Sequence, residues 1–201
     1  MSLPQLNIEM FRGINDLGKQ LSFLNPSVVF IAEYTIYLLA ASMLLFWFTR
    51  TTANRMMVLQ GGFAFILAEL LGKAVGMFHS HHQPFAELPH VSKLIDHSIN
   101  NSFPSDHTIL FFSICASFWL MRKKTGWGWL WLVLAGCVAL SRVWVGVHYP
   151  VDIAVGAMIG IFSAVLVYWS STRFAWLSRL LDVYESVERR ILPASNKSKG
   201  L

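Results

Sequence analysis

Five long apolar segments, separated by short polar ones, make up most of the chain. A helix needs about 20 apolar residues to cross a bilayer, so segments of this length are typical of transmembrane helices. We expect spans at roughly 27–49, 56–78, 104–121, 127–147 and 151–171. The pattern therefore predicts an all-α fold, an integral membrane helical bundle of about five transmembrane helices.

Both ends of the chain are amphipathic. Residues 5–22 place apolar side chains at helical spacing among charged ones, and residues 172–201 begin in the same way before a Ser/Lys-rich stretch. Such segments are typical of helices on a membrane surface, and a polar tail is typical of disorder. The first residues lack the apolar core of a signal peptide. We expect one domain over residues 1–201, with a surface helix at each end.

Composition supports a membrane location. The chain is 55% hydrophobic and 13% charged, whereas soluble proteins carry about 25% charged residues. The net charge of +5 would suit nucleic acid, but most Lys and Arg residues fall on one side of the predicted bundle. That side is expected to be cytoplasmic. We therefore expect the bilayer and no nucleic acid as partner, with the N-terminus outside and the C-terminus inside. The oligomeric state stays open.

Two details of the apolar segments add to this picture. Cys115 and Cys137 lie inside apolar runs, where we expect them to pack as small hydrophobic residues. Gly156 and Gly160 are spaced for close packing of the fifth span against another helix. All seven histidines fall on the outer side or at outer span ends. Because histidine played no part in assigning the topology, this clustering predicts a functional site at the outer face.

The first polar cluster, residues 103–107, stands directly before the third span. Pro104 and Ser105 are helix-start signals, and Ser105 suits an N-cap. The free backbone amides of a helix N-terminus, here those of residues 105–107, bind phosphate. His107 would lie in the first turn beside them. An ordinary capped helix with an interfacial histidine is the alternative interpretation.

The second polar cluster lies between the fourth and fifth spans. Pro150 suits the first position of a helix. Asp152 follows His148 by four residues and could fix its tautomer, leaving the other ring nitrogen free to attack. Alternatively, Asp152 could only stabilise the helix, through the favourable interaction of its negative charge with the helix dipole. Arg142, at the end of a span, needs an anionic partner, and its planar guanidinium suits phosphate.

These residues form a recognisable pattern. Ser141 and Arg142, five further residues, His148, three more residues and Asp152 resemble the third signature of the type 2 phosphatidic acid phosphatase superfamily. Residues 104–107 resemble its second signature, Pro-Ser-Gly-His, with aspartate in place of glycine. That variant is similar to the bacterial undecaprenyl-diphosphatases of the bacitracin-resistance type. The resemblance covers roughly residues 60–165.

The resemblance implies a mechanism, a substrate and a cellular location. His148 would be the nucleophile that forms a phosphohistidine, Asp152 would support it, and His107 would protonate the leaving group. The residues expected to bind the phosphoryl group are Ser105, Arg142, Asp106 and Ser141. The substrate would be undecaprenyl diphosphate, a polyprenyl lipid of peptidoglycan synthesis, at the outer face of the bacterial inner membrane. No metal and no cofactor are implied.

The first signature of the superfamily, a lysine, six residues and Arg-Pro, is not present as such. The nearest match is Lys73 followed by Gln83 and Pro84, so the spacing is three residues too long and glutamine replaces arginine. Three residues make nearly one helical turn, so the lysine could still reach the pocket. We predict that Lys73 and Gln83 bind phosphate. Glu69, one turn before Lys73, is expected to position it.

Several alternatives stay open. Glu33, inside the first span, either has a structural role or faces the site. His79, His81 and His82 would suit a metal only in a defined geometry, and we expect none. The enzyme could act on another lipid phosphate, such as phosphatidic acid or phosphatidylglycerophosphate. A membrane export permease would thread polar residues through the bilayer, whereas here they gather at one face.

Overall fold

The computed structural model describes residues 2–122 and 126–191, and every regular element in these ranges is helical. The predicted all-α fold class is therefore confirmed. The helices, in chain order, are α1 (Leu3–Asn15), α2 (Leu17–Gln20), α3 (Asn25–Glu33), α4 (Thr35–Phe48), α5 (Thr52–Phe78), α6 (Pro84–Glu87), α7 (Asp106–Arg122), α8 (Trp129–Trp144), α9 (Pro150–Phe174) and α10 (Trp176–Ile191). The predicted tail beyond residue 191 lies outside the described residues.

Each predicted span corresponds to helix, but the helices differ in length. α5 has 27 residues and α9 has 25, and both are long and apolar enough to cross a bilayer. α7 has 17 residues and α8 has 16. By length and composition, the described part of the chain holds two crossing helices, or three if the bent pair that ends in α4 is one span. The count of five spans stays a prediction.

The first predicted span is not one straight helix. The segment that ends with α3 meets α4 at 44°. Thr35 donates its hydroxyl to the carbonyl of Ile31 at 2.6 Å, and a threonine that bonds back four residues bends a helix. Arg142 donates to the carbonyl of Ala32 at 3.1 Å. The span predicted over 27–49 therefore consists of two helices with a bend between them, where polar side chains engage the carbonyls.

α7 is the central helix of the bundle, since it packs against α5, α8 and α9. Its buried side chains include Phe111, Cys115 and Phe118, which pack with Val138 of α8 in the largest apolar cluster. Cys115 is buried as expected, whereas Cys137 is exposed on α8. The expectation that both cysteines lie in the core is thus wrong for Cys137, because an apolar run in a membrane helix includes the side that faces away from the protein.

Two glycines bring α9 into close contact with α7. A Cβ at Gly160 would lie 2.8 Å from both the backbone nitrogen of Ser113 and the Cβ of Phe112. A Cβ at Gly156 would lie 3.0 Å from the carbonyl oxygen of Ser105. The close packing predicted for these glycines is confirmed. The contact fixes the starts of α7 and α9 side by side.

The two amphipathic ends of the chain dock at opposite ends of the bundle. α1 reaches the loop after α6, where Arg12 donates to the carbonyl of Pro89 at 2.6 Å. α10 docks on α5 through Arg55, a buried arginine that contacts Glu188 at 2.8 Å and Glu185 at 3.4 Å. A charged pair of this geometry is stronger than a neutral hydrogen bond. The predicted N-terminal helix at 5–22 corresponds to α1 and α2, and the helical part of the predicted C-terminal segment corresponds to α10. Their place on a membrane surface stays a prediction.

We predict that Gly160→Ala lowers the stability of the protein by about 1–3 kcal/mol, because its methyl group would meet backbone of α7. Gly62→Ala is the matched control, since a Cβ at Gly62 of α5 meets nothing within 4 Å. Thermal unfolding of both variants in the same detergent measures the difference. Equal melting temperatures for the two variants would contradict a close α7–α9 contact.

Candidate active site

The turn 145–149 joins the end of α8 to the start of α9 and carries His148 of the second polar cluster. Gly146 adopts a φ of 86° in this turn, a conformation that favours glycine. A Cβ there would also lie 2.6 Å from the carbonyl oxygen of Ser92. The amide of Leu94 donates to the carbonyl of Val145 at 3.2 Å. The long loop between α6 and α7 is therefore held over the turn that carries His148.

His148 is buried, and its Nδ1 atom contacts the segment before α7. It lies 3.0 Å from the carbonyl oxygen and 3.1 Å from the hydroxyl of Ser102, and 3.5 Å from Oδ2 of Asp152. Sequence reasoning paired His148 with Asp152 directly and missed Ser102. That serine precedes His148 by 46 residues, and no motif spacing links the two.

The carboxylate of Asp152 is fully buried and has a separate set of partners on each oxygen. Oδ2 accepts hydrogen bonds from the hydroxyl of Ser102 at 2.7 Å and from the amide of Tyr149 at 2.9 Å. The bond from Tyr149 caps the N-terminus of α9. Asp152 therefore stabilises α9 and also contacts the segment that carries His148. Oδ1 lies 2.9 Å from Nε2 of His81. His81 was noted in the sequence only as one of several loop histidines.

The surroundings of His81 favour its charged form. The contact with the Asp152 carboxylate raises the pKa of His81, the charge of Glu87 acts in the same direction, and partial burial opposes them. The pKa of His148 is instead lowered, first because burial disfavours the charged ring and also because Arg142 is near. The two histidines beside Asp152 thus have opposite charge preferences.

A cavity of about 390 Å³ lies beside this group. The residues that line it include Glu33, Tyr34, Asp96, His97, His107 and Arg142. His107 interacts electrostatically with Arg142, His148 and His97. The structure therefore brings His107 and Arg142, which are 35 positions apart in the chain, to one cavity next to His148. Glu33, whose position was left open, faces this cavity.

Arg142 is 2% exposed, which is unusual for a charged side chain. One of its terminal nitrogens donates to Ala32, and its Nε has no hydrogen-bond partner among the residues that the structure describes. Glu33 and Asp106 interact with its charge. A buried guanidinium with an unused donor beside a cavity has the chemistry of an oxyanion-binding group.

The sequence predicts that the N-terminus of α7 binds phosphate through free backbone amides. The structure shows a different arrangement there. The amide of Ser105 donates to the carbonyl of Asp152 at 3.3 Å, so it is not free to bind phosphate. The hydroxyl of Ser105 accepts a hydrogen bond from Thr108 at 3.1 Å. Asp106 is exposed at the first helical position. Ser105 therefore joins α7 to α9, while Asp106 contributes charge near Arg142.

Three further predicted phosphate ligands lie outside the residues that line this cavity. Ser141 donates to the carbonyl of Val138 at 2.6 Å and lines a separate apolar cavity of about 360 Å³. Gln83 donates its amide to the side chain of Asn100 and accepts from the backbone of the same residue. Lys73 is exposed on α5 and interacts with the charge of Glu69. That Glu69 positions Lys73 stays a prediction.

The loop histidines are not arranged as a metal centre. Within the described ranges, no group of three or more His, Cys, Asp or Glu side chains could hold a metal ion. The rings of His79 and His81 instead lie edge to face, 5.4 Å apart. They also contact Phe103, at 4.8 Å and 5.8 Å between ring centres.

Comparisons with known proteins identify the family of the chain. Residues 57–176 match the model of the PAP2 superfamily. The chain is 56% identical, over 98% of its length and 97% of the other, to the bacitracin transport permease protein BcrC of Bacillus licheniformis. It is 30% identical, over 92% of its length and 95% of the other, to undecaprenyl-diphosphatase BcrC of Bacillus subtilis strain 168. The crystal structure of Aquifex aeolicus LpxE superposes with a TM-score of 0.66 at 25% identity, over 81% of this chain and 94% of that one. The chain therefore belongs to the PAP2 superfamily, the group that its second and third motifs resemble.

Proposed function

We propose that this protein is an undecaprenyl-diphosphate phosphatase, which removes the terminal phosphate of the lipid and releases undecaprenyl phosphate and inorganic phosphate. The observation that carries the proposal is the buried group of His148, Ser102 and Asp152 beside a cavity that holds His107 and Arg142. We infer the substrate from the relatives. Proteins of Bacillus subtilis and Sulfolobus acidocaldarius that are named undecaprenyl-diphosphatase match most of the chain.

His148 is the proposed nucleophile, and its contacts favour the required tautomer. A carbonyl oxygen only accepts hydrogen bonds, so the 3.0 Å contact with the carbonyl of Ser102 requires a proton on Nδ1. The hydroxyl of Ser102 donates to Asp152 and can therefore also accept from Nδ1. Nε2 is left with a free lone pair that can attack phosphorus. Burial lowers the pKa of His148, which keeps the ring neutral before the attack.

In the proposed reaction, Nε2 of His148 forms a bond to the terminal phosphorus as the bond from phosphorus to the bridging oxygen breaks. His107 donates a proton to the departing lipid monophosphate. The positive charge on the phosphohistidine ring is stabilised by Asp152 through Ser102, and Arg142 neutralises the phosphoryl oxygens. A water molecule then attacks phosphorus, gives its proton to His107 and releases phosphate from His148.

Lys73, Gln83, Ser105, Asp106 and Ser141 remain candidate phosphate ligands with weaker support. Ser105 and Asp106 belong to the helix start beside the cavity. Ser141 and Gln83 already form hydrogen bonds with carbonyl or amide groups of the protein. Their contribution would therefore require a side-chain rearrangement when the lipid binds. Arg142 and His107 need none, and we assign the phosphate contacts to them first.

We also propose that the site faces the outer side of the bacterial cell membrane and that the chain is a single domain. Three arginines lie at the opposite end of the bundle from His148: Arg50 and Arg55, which contact α10, and Arg122, which ends α7 and donates to Asn54. A basic end is expected to be cytoplasmic. The N-terminus would then be outside and the C-terminus inside.

A permease is the alternative that the name of the Bacillus licheniformis relative suggests. The charged and histidine side chains of the cavity gather at one end of the bundle, which suits a reaction at a surface. A lipid phosphatase also suits the resemblance to the bacitracin-resistance type, because the antibiotic binds the diphosphate lipid that the enzyme would remove. We therefore favour the enzyme.

Phosphate release from undecaprenyl diphosphate, measured with purified protein in the presence of a metal chelator, tests this function. We predict release by the wild type and a loss of at least about a thousandfold in His148→Ala, because no nucleophile remains. His79→Gln, an exposed histidine of the neighbouring loop, is the control and should keep wild-type activity. Equal rates for the wild type and His148→Ala would refute the mechanism. Cleavage of phosphatidic acid alone would refute only the substrate.

The tautomer of His148 is a second prediction. ¹⁵N NMR of histidine-labelled protein near neutral pH should give His148 as the Nδ1-protonated form, because Ser102 accepts from that nitrogen. A signal from His148 protonated at Nε2 would contradict the proposed nucleophile.

The orientation is tested by labelling single cysteines in intact cells, in protein without Cys115 and Cys137. We predict that an impermeant maleimide labels His90→Cys directly and labels Arg179→Cys only after permeabilisation, because these positions belong to opposite ends of the bundle. The reverse pattern would contradict the outer-face assignment and leave the proposed chemistry intact.

A further inference from the structure

The carboxylate of Asp152 contacts two histidines, one on each side. Its Oδ2 atom faces Ser102 and His148, whereas its Oδ1 atom lies 2.9 Å from Nε2 of His81. Neither Oδ1 nor Nε2 of His81 has another hydrogen-bond partner in the described part of the chain. The proposed reaction uses only the Oδ2 side, so the second histidine has no role in it yet.

His81 is held firmly in this position. Its ring lies 5.3 Å from that of Tyr149 and 5.8 Å from that of Phe103, between ring centres. Its carbonyl accepts the amide of Ser102 at 2.8 Å. The backbone bond between His81 and Ser102 therefore holds the two residues together. His81 contacts one oxygen of Asp152, and the hydroxyl of Ser102 contacts the other.

The groups that face His81 are mainly acidic. Asp152 of α9 is in contact, and Glu87 of α6 acts on its charge while accepting a hydrogen bond from Tyr149 at 3.0 Å. The ring of His79 adjoins it, and Arg12 of α1 acts on Tyr149 from farther away. These surroundings raise the pKa of His81, so a cation on Oδ1 is favoured.

His81 meets a cavity different from the one with Arg142. This second cavity has a volume of about 460 Å³ and is lined by α1 residues with His79, Glu87 and Tyr149. The side chain of His81 is 19% exposed. The ring can therefore exchange protons through this second cavity.

We propose that His81 is a positioning residue: its cationic ring orients Asp152 and limits the negative charge that Asp152 presents to His148. A cation on Oδ1 makes protonation of His148 less favourable, so the nucleophile stays neutral to lower pH. It also holds the carboxylate with Oδ2 towards Ser102. This role rests on the proposed function of His148 and adds a histidine that the mechanism above does not require.

The test is the pH dependence of kcat/KM for His81→Gln with undecaprenyl diphosphate. The glutamine amide keeps a donor near Oδ1 but carries no charge. We expect the acid limb to move up by about one pH unit, because Asp152 then favours protonated His148 more strongly. We also expect kcat to fall about tenfold, with KM within about twofold. His81→Arg, which keeps a cation, should retain the wild-type acid limb.

His79→Gln is the matched control, because His79 lines the same cavity and contacts Phe103 but does not reach Asp152. An acid limb unchanged in His81→Gln, with or without the fall in kcat, would overturn the proposal, as would an acid limb moved equally in His79→Gln. If the wild type is active and His148→Ala is not, these results refute only the role of His81. If His148→Ala stays active, the proposed function fails instead.

Melting temperatures establish whether the variants are folded. If His81→Gln does not fold, the titration of His81 in the wild type, followed by histidine NMR, decides the question. A pKa above the ordinary value of about 6.5 supports a cation on Asp152. A pKa at or below that value overturns the proposal.

Discussion

A buried carboxylate determines the arrangement of this end of the bundle. Asp152 is fully buried, and an isolated charge in such a place would be strongly destabilising. Groups from three segments of the chain contact the carboxylate and offset the cost of burying its charge. They are the hydroxyl of Ser102, the amide of Tyr149 and the ring of His81. Its own carbonyl accepts the amide of Ser105, which joins α9 to the start of α7. The loop, the turn and two helix ends are therefore tied to one residue.

This convergence requires that α7 and α9 lie very close together. Gly156 removes the side chain that would otherwise stand 3.0 Å from the carbonyl of Ser105. Gly160, one turn farther along, does the same against Ser113. In a bilayer, small residues allow the close packing that drives helix association. The same glycines that pack the bundle also bring Ser105 within reach of Asp152.

The sequence predicted those features that repeat or follow a short spacing. Apolar runs predicted the helices, and Pro150 predicted the start of α9, because helix-start signals act locally. The bend between α3 and α4 was missed, since it depends on Thr35 and on a distant Arg142 that both engage carbonyls there. Ser102 and His81 were missed for the same reason, because long-range contacts join them to Asp152.

The departure from the first signature of the superfamily has a physical explanation in the loop. Gln83 exchanges hydrogen bonds with both the backbone and the side chain of Asn100. Asn100 stands two positions before Ser102, so this exchange fixes the segment that contacts His148. An arginine at position 83 could not accept the amide of Asn100, because a guanidinium has no acceptor. In this chain, glutamine at that position therefore stabilises the loop. Positive charge for a phosphate is left to groups such as Arg142, whose Nε has no partner in the described ranges.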